Sequence, residues 1–376
     1  MSSIRVAVIG SGVAGASTAF ALANMGAGVT IIEAGLDGMA TAAGAGIVQP
    51  WSSSSEGPYY DLYAAGAAYY PTLMGRLRDT GVDDIGYRIT GSLVVNADEH
   101  RLALVERRVR ERALNAAGVG TVSAVTPTEA KRLFPPLASD LGGLHISGGA
   151  RVDGRALRNG LLKAAESLGA TMATGRARLE PVDGRMPRLS VDSRTIMADA
   201  IVVAAGAWTN DLLAPLGRRI GLSAQRGQIT HLRIEGIETA HWPSVLPMTD
   251  HYLVAFDDSR IVAGATREGD SGFDPRVTAG GQREVLKAAL AVAPGLANAT
   301  IIETRVGLRP VAAGALPHLG AIEGIPGLFV NAGFGSGGLT MGPYAGHLLA
   351  ERVLGVDNHA EVLAPFAPVF DVDRMS

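Results

Sequence analysis

The segment Gly10-Ser11-Gly12-Val13-Ala14-Gly15 constrains this chain more than any other. It follows a short apolar strand at Ile4–Ile9 and opens an alanine-rich helix at Ala14–Met25. A second β-branched strand, Val29–Glu33, completes a βαβ unit with parallel strands and a right-handed crossover. In a G-x-G-x-x-G turn the first glycine makes the tight turn. The second lets backbone approach a pyrophosphate, and the third allows close helix–strand packing. Phosphates then meet the amide groups at a helix N-terminus, where the dipole favours negative charge. Glu33 ends the second strand, where an acid reaches a ribose diol and repels a 2′-phosphate. The unit predicts an ADP-containing dinucleotide, and by itself it does not choose between NAD and FAD.

The rest of the chain bounds the choice. At 376 residues there is room for two domains, and the 49 glycines imply many close backbone approaches. A net charge of −3 offers no basic field for nucleic acid. With no cysteine, there is no disulfide, thiolate metal site, cysteine nucleophile or cysteine-linked cofactor. The eight histidines include no i, i+4 pair, and no metal site is expected. No apolar run reaches membrane-spanning length, and the first strand starts at residue 4. The expectation is a cytoplasmic protein without a signal peptide or transmembrane segment; homo-oligomerisation is left open.

Further along, helical spacing covers Tyr59–Asp79, Glu99–Ala117, Ala156–Leu168, Gly280–Ala293 and Tyr344–Leu354. A short helix is predicted after Thr126, with Pro127 at its first position and Glu129 closing a capping box. Strands are predicted at Gly91–Asn96, Ala170–Thr174, Ala200–Ala205, Gln228–Ile234, His251–Phe256, Arg260–Ala265 and Leu328–Asn331. Residues Thr41–Pro58 read as a loop. The fold class is α/β: a Rossmann-type dinucleotide-binding domain interleaved with an α+β substrate domain holding a mixed, largely antiparallel sheet. The predicted boundaries assign 1–48, 142–225 and 300–376 to the first domain, and 49–141 and 226–299 to the second.

FAD enters through a resemblance. Thr41-Ala42-Ala43-Gly44-Ala45-Gly46-Ile47 resembles the [ST]-x-A-x-A-G segment of the FAD-dependent D-amino-acid oxidase superfamily, in its glycine oxidase and D-amino-acid dehydrogenase branches. The likeness extends over nearly the whole chain. Gly149–Leu157 resembles the "G-x-V-D-x-x-x-L" start of the helix before the adenine-contacting strand, Arg176–Leu179 the adenine-edge segment containing Arg178, and Arg226-Gly227-Gln228 the "RGQ" opening the substrate sheet. Ala204–Thr209, with Ala205, Gly206 and Trp208, is similar to the family's cofactor-facing "nAaGaWs" turn. Gly307-Leu308-Arg309-Pro310 with Leu316–Gly320 is similar to "GxRPxxxDxxPxIG".

The resemblance implies FAD, not attached through cysteine, on Gly10, Gly12, Val13, Ala14, Gly15, Glu33, Ala34 and the Thr41–Ile47 segment. It also implies a loop carrying Gly333, Gly335, Ser336, Gly337, Gly338, Leu339 and Thr340 against the pyrimidine end of the flavin. Arg309 is implied to touch the cofactor region and grip a substrate carboxylate, with Tyr252 nearby. Gln49, Trp51, His318, Gly335 and Ser336 would line the substrate pocket. His251 precedes Tyr252 on the predicted strand, so at most one of the two is expected to face the flavin. The chain departs from the pattern at Gly314, where the motif has aspartate, and at Phe334, where it has histidine. Thr340 replaces the lysine of sarcosine oxidases, which disfavours that branch.

The implied reaction oxidises the C–N bond of a D-amino acid or glycine-like substrate by hydride transfer to flavin N5. The imino acid then hydrolyses to an oxo acid and ammonia, with oxygen or another acceptor taking the electrons. The alternatives are a secondary or cyclic amine, such as an N-methyl amino acid or proline-like compound, an NAD-dependent dehydrogenase, or a flavoprotein subunit needing a partner.

Overall fold

A computed structural model of the chain describes residues 3–356 and 358–370. Six strands form the first sheet, in the spatial order His318–Ala321, Leu328–Ala332, Ala200–Val203, Arg5–Ile9, Gly28–Glu33 and Thr171–Thr174. All pair in parallel except the edge strand His318–Ala321.

The two faces of this sheet follow from the period of two along a strand. Val6, Val8 and Ile31 point to one side, beneath the helices Val13–Asn24, Gly154–Ser167 and Gly338–Val353. Ala7, Ile9 and Ile32 point to the other, where Leu179, Leu189 and Val191 of a small antiparallel sheet cover them. With both faces covered, the central strands are apolar throughout, as buried parallel strands must be.

Helix Gly338–Val353 lies across helix Val13–Asn24 at small residues. A Cβ at Gly346 would stand 2.7 Å from Ser17 Cβ, so only glycine permits the approach. Pro343 inside this helix has no N–H for the carbonyl of Leu339. The hydroxyl of the buried Tyr70 donates to that carbonyl instead, at 2.5 Å.

The second sheet has eight strands: Thr300–Ala312, Leu222–Arg233, Arg260–Gly264, Tyr252–Ala255, Ser244–Leu246, Ser92–Asn96, Gly142–Ile146 and Val122–Val125. One pair, Ser244–Leu246 with Ser92–Asn96, is parallel and the others are antiparallel. Helix Ala279–Val292 packs on one face through Val285 and Ala289. The other face looks toward the first sheet.

Most predicted elements are present, including the Thr126–Glu129 capping box. The differences have physical causes. Thr300–Ala312 has no clean alternation, with Ile301 and Ile302 exposed, yet it is a strand because it pairs along Leu222–Arg233. The last helix begins at Gly338, six residues before the predicted Tyr344, because its glycines permit close packing and Tyr70 takes the hydrogen bond that Pro343 cannot make. The Thr41–Pro58 loop contains a 3-10 turn at Ala40–Ala43 and a short strand at Ile47–Val48. Strands Gly142–Ile146 and Thr300–Ala312, placed with the first domain by sequence, hydrogen-bond in the eight-stranded sheet.

Candidate active site

Between the two sheets lies a cavity of about 1210 Å³. Gly10 turns with φ +103°, and a Cβ there would collide with the carbonyl of Ala204. A Cβ at Gly15 would in turn strike the carbonyl of Gly10. These two glycines bring strand, turn and helix together; Gly12, Val13 and Ala14 then face the cavity. Helix Val13–Asn24 has no acid in its first turn and no side-chain cap from Gly12. Its Val13 N–H donates to Thr41 Oγ1 at 2.8 Å, which ties the small-residue segment to the helix start.

Glu33 lies on the cavity wall and is held from three sides. Its carboxylate accepts from Ser11 N at 3.1 Å, from the Ser11 hydroxyl, and from Gly35 N at 2.7 Å. Arg158 donates to the Ser11 carbonyl at 2.8 Å and sits 3.9 Å from Glu33. Ala34, Ala205, Gly206 and Trp208 extend this wall, and Ala43 to Ile47 with Gly335 to Leu339 continue it toward the other sheet.

At that far end Arg309 projects from strand Thr300–Ala312. Its guanidinium donates to Thr266 O at 2.9 Å and approaches Gln225 Oε1 at 3.4 Å. Gly227 lies against it, since a Cβ there would overlap the guanidinium. Tyr252, at the start of strand Tyr252–Ala255 in the same sheet, hydrogen-bonds Arg309 through its hydroxyl. Burial pushes the Tyr252 phenol upward against the opposing pull of Arg309 and Arg267, while burial also draws the Arg309 guanidinium down.

Several predicted residues stand elsewhere. Arg178 is exposed and off the wall, and Arg176 with Ala177 line it instead. The carbonyl of Ala42 accepts from Arg305 at 3.4 Å, and Gly333 makes a turn with φ +93° behind the wall. Thr340 is buried and donates to Ile47 O at 2.9 Å, so its hydroxyl braces the loop. Trp51 is core, with Arg112 donating to its carbonyl at 2.8 Å. His318 is buried on the edge strand, its Nε2 3.4 Å from Gly221 O. Gln49 does line the cavity, braced by Ser52 at 3.1 Å. His251 and Tyr252 both line it; the strand begins at Tyr252, so His251 lies outside the strand's alternation.

Sequence reading missed Arg267, Asp250, Tyr59, Tyr63, Arg101, Arg108 and Ser52–Ser55, all on the wall. Burial raises the phenols of Tyr59 and Tyr63. No group of three histidines or acids among the described residues could hold a metal ion. No helix among them is long and apolar enough to cross a membrane.

The cavity's size and its glycine cradle fit a dinucleotide with room left for a small substrate. Residues 5–352 match the family model described as DAO, FAD dependent oxidoreductase. The chain belongs to the DAO family. FAD is therefore the dinucleotide, and without cysteine it is not attached through that residue. An oxidoreductase of Bacillus subtilis, YurR, of uncharacterised activity, is 46% identical over 363 residues, 96% of this chain and 97% of the relative. The crystal structure of iminodiacetate oxidase from Chelativorans sp. BNC1 superposes with a TM-score of 0.94 at 50% identity, over 97% of this chain and 99% of that one. Glycine oxidase from Geobacillus kaustophilus superposes with a TM-score of 0.83 at 29% identity, over the full length of both chains. In this DAO family member, Gly10 to Ala14, Glu33 and Thr41 line the cavity, and Val13 and Thr41 are joined by a hydrogen bond.

Proposed function

We propose that this enzyme oxidises the C–N bond of a small carboxylated amine, with the carboxylate held by Arg309. The observation that carries the reading is a guanidinium on the cavity wall whose described partners are neutral: a carbonyl, an amide and a phenol. A planar guanidinium pairs bidentately with a carboxylate, and such a pair fixes orientation as well as affinity. Burial keeps Tyr252 protonated at neutral pH, so its hydroxyl remains a donor beside the same carboxylate. Bound FAD supplies a two-electron acceptor for the hydride from the substrate carbon. The amine proton leaves to water as C=N forms, and hydrolysis yields an oxo acid and the released amine. Tyr59, Tyr63 and Phe334 put aromatic surface around this end of the cavity, favouring orientation over general-base catalysis.

Glycine or a D-amino acid is one substrate class, supported by the likeness to glycine oxidase. The likeness to iminodiacetate oxidase supports a secondary amine, in which the nitrogen carries a second carbon arm. The lobes divide the work: the six-stranded lobe holds the cofactor, and the eight-stranded lobe, from about residue 222 to 312 with 92–146, holds the substrate. An anaerobic panel of glycine, sarcosine, iminodiacetate, proline and D- and L-amino acids, scored by bleaching of the flavin, tests the reading. Bleaching by a carboxylated amine is expected; no bleaching by any of them overturns it. Reoxidation of the bleached enzyme by air, compared with an artificial acceptor, then separates oxidase from dehydrogenase.

A further inference from the structure

Helix Gly154–Ser167 meets the cavity wall from behind at two points one turn apart. At its start, a Cβ on Gly154 would stand 2.3 Å from the Thr41 carbonyl oxygen, so glycine lets the helix seat directly on that segment. One turn later Arg158, itself off the wall, reaches the buried Ser11, which lies on it. Arg158 Nε donates to the Ser11 carbonyl at 2.8 Å, and Nη2 donates to Ser11 Oγ at 2.5 Å. A guanidinium has donors and no acceptor, and a serine hydroxyl has a single proton. Ser11 Oγ therefore accepts from Arg158 and sends its proton to Glu33 Oε2, which also takes the Ser11 N–H at 3.1 Å. Glu33 Oε1 accepts from Gly35 N at 2.7 Å. An ionised carboxylate has about four acceptor positions, two on each oxygen. Ser11 fills both on Oε2 and Gly35 fills one on Oε1, which leaves the second position of Oε1 for a donor outside the protein. Without Arg158 the Ser11 hydroxyl is free to rotate, and nothing fixes which oxygen of Glu33 stays available.

We propose that Arg158 is the positioning residue for the adenosine ribose of FAD: acting through Ser11, it presents Glu33 Oε1 to a single ribose hydroxyl. This rests on Glu33 as the ribose acid and is independent of which amine the enzyme oxidises.

The test uses the full-length chain freed of flavin, titrated calorimetrically with ADP, 2′-deoxy-ADP and 3′-deoxy-ADP. In the wild type one of the two deoxy analogues is expected to bind at least about tenfold weaker than ADP, the loss of one hydrogen bond to a charged group. The other is expected to bind within about threefold of ADP, because Glu33 has one position to offer. Arg158→Met is expected to bring the larger penalty below about threefold and to weaken FAD rebinding about tenfold. Arg158→Lys keeps the charge but not the fork that serves both Ser11 oxygens, and is expected to retain part of the penalty. A packing role alone would weaken ADP and both analogues equally, so an undiminished penalty in Arg158→Met overturns the proposal. Should Arg158→Met not be recovered as soluble protein, Arg158→Lys decides: a penalty at least halved supports the relay, and an unchanged one overturns it. Glu33→Gln separates the two readings. If the penalty disappears there but persists in Arg158→Met, Glu33 stands as the ribose acid and the role of Arg158 fails. If the wild type penalises neither analogue, both readings fail.

Discussion

The two ends of the cavity are built by different means. At the Glu33 end the wall is mostly backbone, supplied by one strand–turn–helix and the turn after Ala200–Val203. Its geometry is fixed by steric exclusion at Gly10 and Gly15, which leaves few sequences that satisfy it. At the Arg309 end the wall is side chains from strands and loops far apart in the chain: Gln49, Tyr59, Tyr252, Arg267 and Arg309. A backbone site admits one ligand shape and tolerates almost no change. A side-chain site is re-tuned by single substitutions that leave the fold intact, so specificity belongs there.

The sharpest way to break this contrast is at Gly10. Gly10→Val places a branched side chain at positive φ against the Ala204 carbonyl. Loss of nearly all bound flavin or of soluble protein is expected, read from the flavin-to-protein absorbance ratio after purification. A yellow, fully loaded variant would show that the turn relaxes more than its geometry implies. At the other end, Arg309→Ala is expected to keep its flavin and lose roughly ten- to thousandfold in kcat/KM, about 1–4 kcal/mol for a charged hydrogen-bonded pair. Unchanged kinetics on the best substrate would remove Arg309 from the site. Tyr252→Phe is a smaller probe: one hydroxyl donor, about 0.5–1.5 kcal/mol, so roughly three- to tenfold in kcat/KM with the spectrum unchanged.

The smallest effect concerns stability. His231, on strand Leu222–Arg233, is buried beside Arg260 and Arg305, and burial together with those cations pushes it down to about 4. Glu303 pulls the other way and Arg155 adds to the depression. The unfolded chain, with an ordinary histidine near 6.5, then holds more protons than the native one between these values. Stability from this group is complete above about pH 6.5 and is lost as pH falls toward 4, by roughly 1–3 kcal/mol. Urea midpoints across that window should fall with acidity, and His231→Gln should flatten the slope. A slope unchanged by the substitution would assign the acid sensitivity to other groups.

This contrast also explains what could be read from sequence. The cofactor end was legible because its requirements are local: Gly10 to Gly15 act within six residues, and Glu33 follows at the end of the next strand. Arg309 was legible only through a family motif, and its neighbours were not. Arg267 and Asp250 meet by strand pairing and turn placement, which no local pattern records. Thr340 and Trp51 show the converse: polar or aromatic residues in a flavin-like segment, spent on bracing and core packing. Sheet membership of the strands near 142 and 300 was out of reach for a related reason. Whether a strand joins one sheet or the other depends on its partner, and Thr300–Ala312 finds its own in Leu222–Arg233.

The glycine-mediated crossing of helix Gly338–Val353 over helix Val13–Asn24 has a consequence for synthesis of the protein. The first βαβ unit leaves the ribosome early, but one face of its helix remains apolar until residues near 350 arrive to cover it. Strand Leu328–Ala332, beside Ala200–Val203, is equally late. A nascent chain thus displays the phosphate-binding turn long before it can close a pocket around a cofactor. Flavin capture is in this sense a completion signal: colour appears only when both ends of the described fold have met.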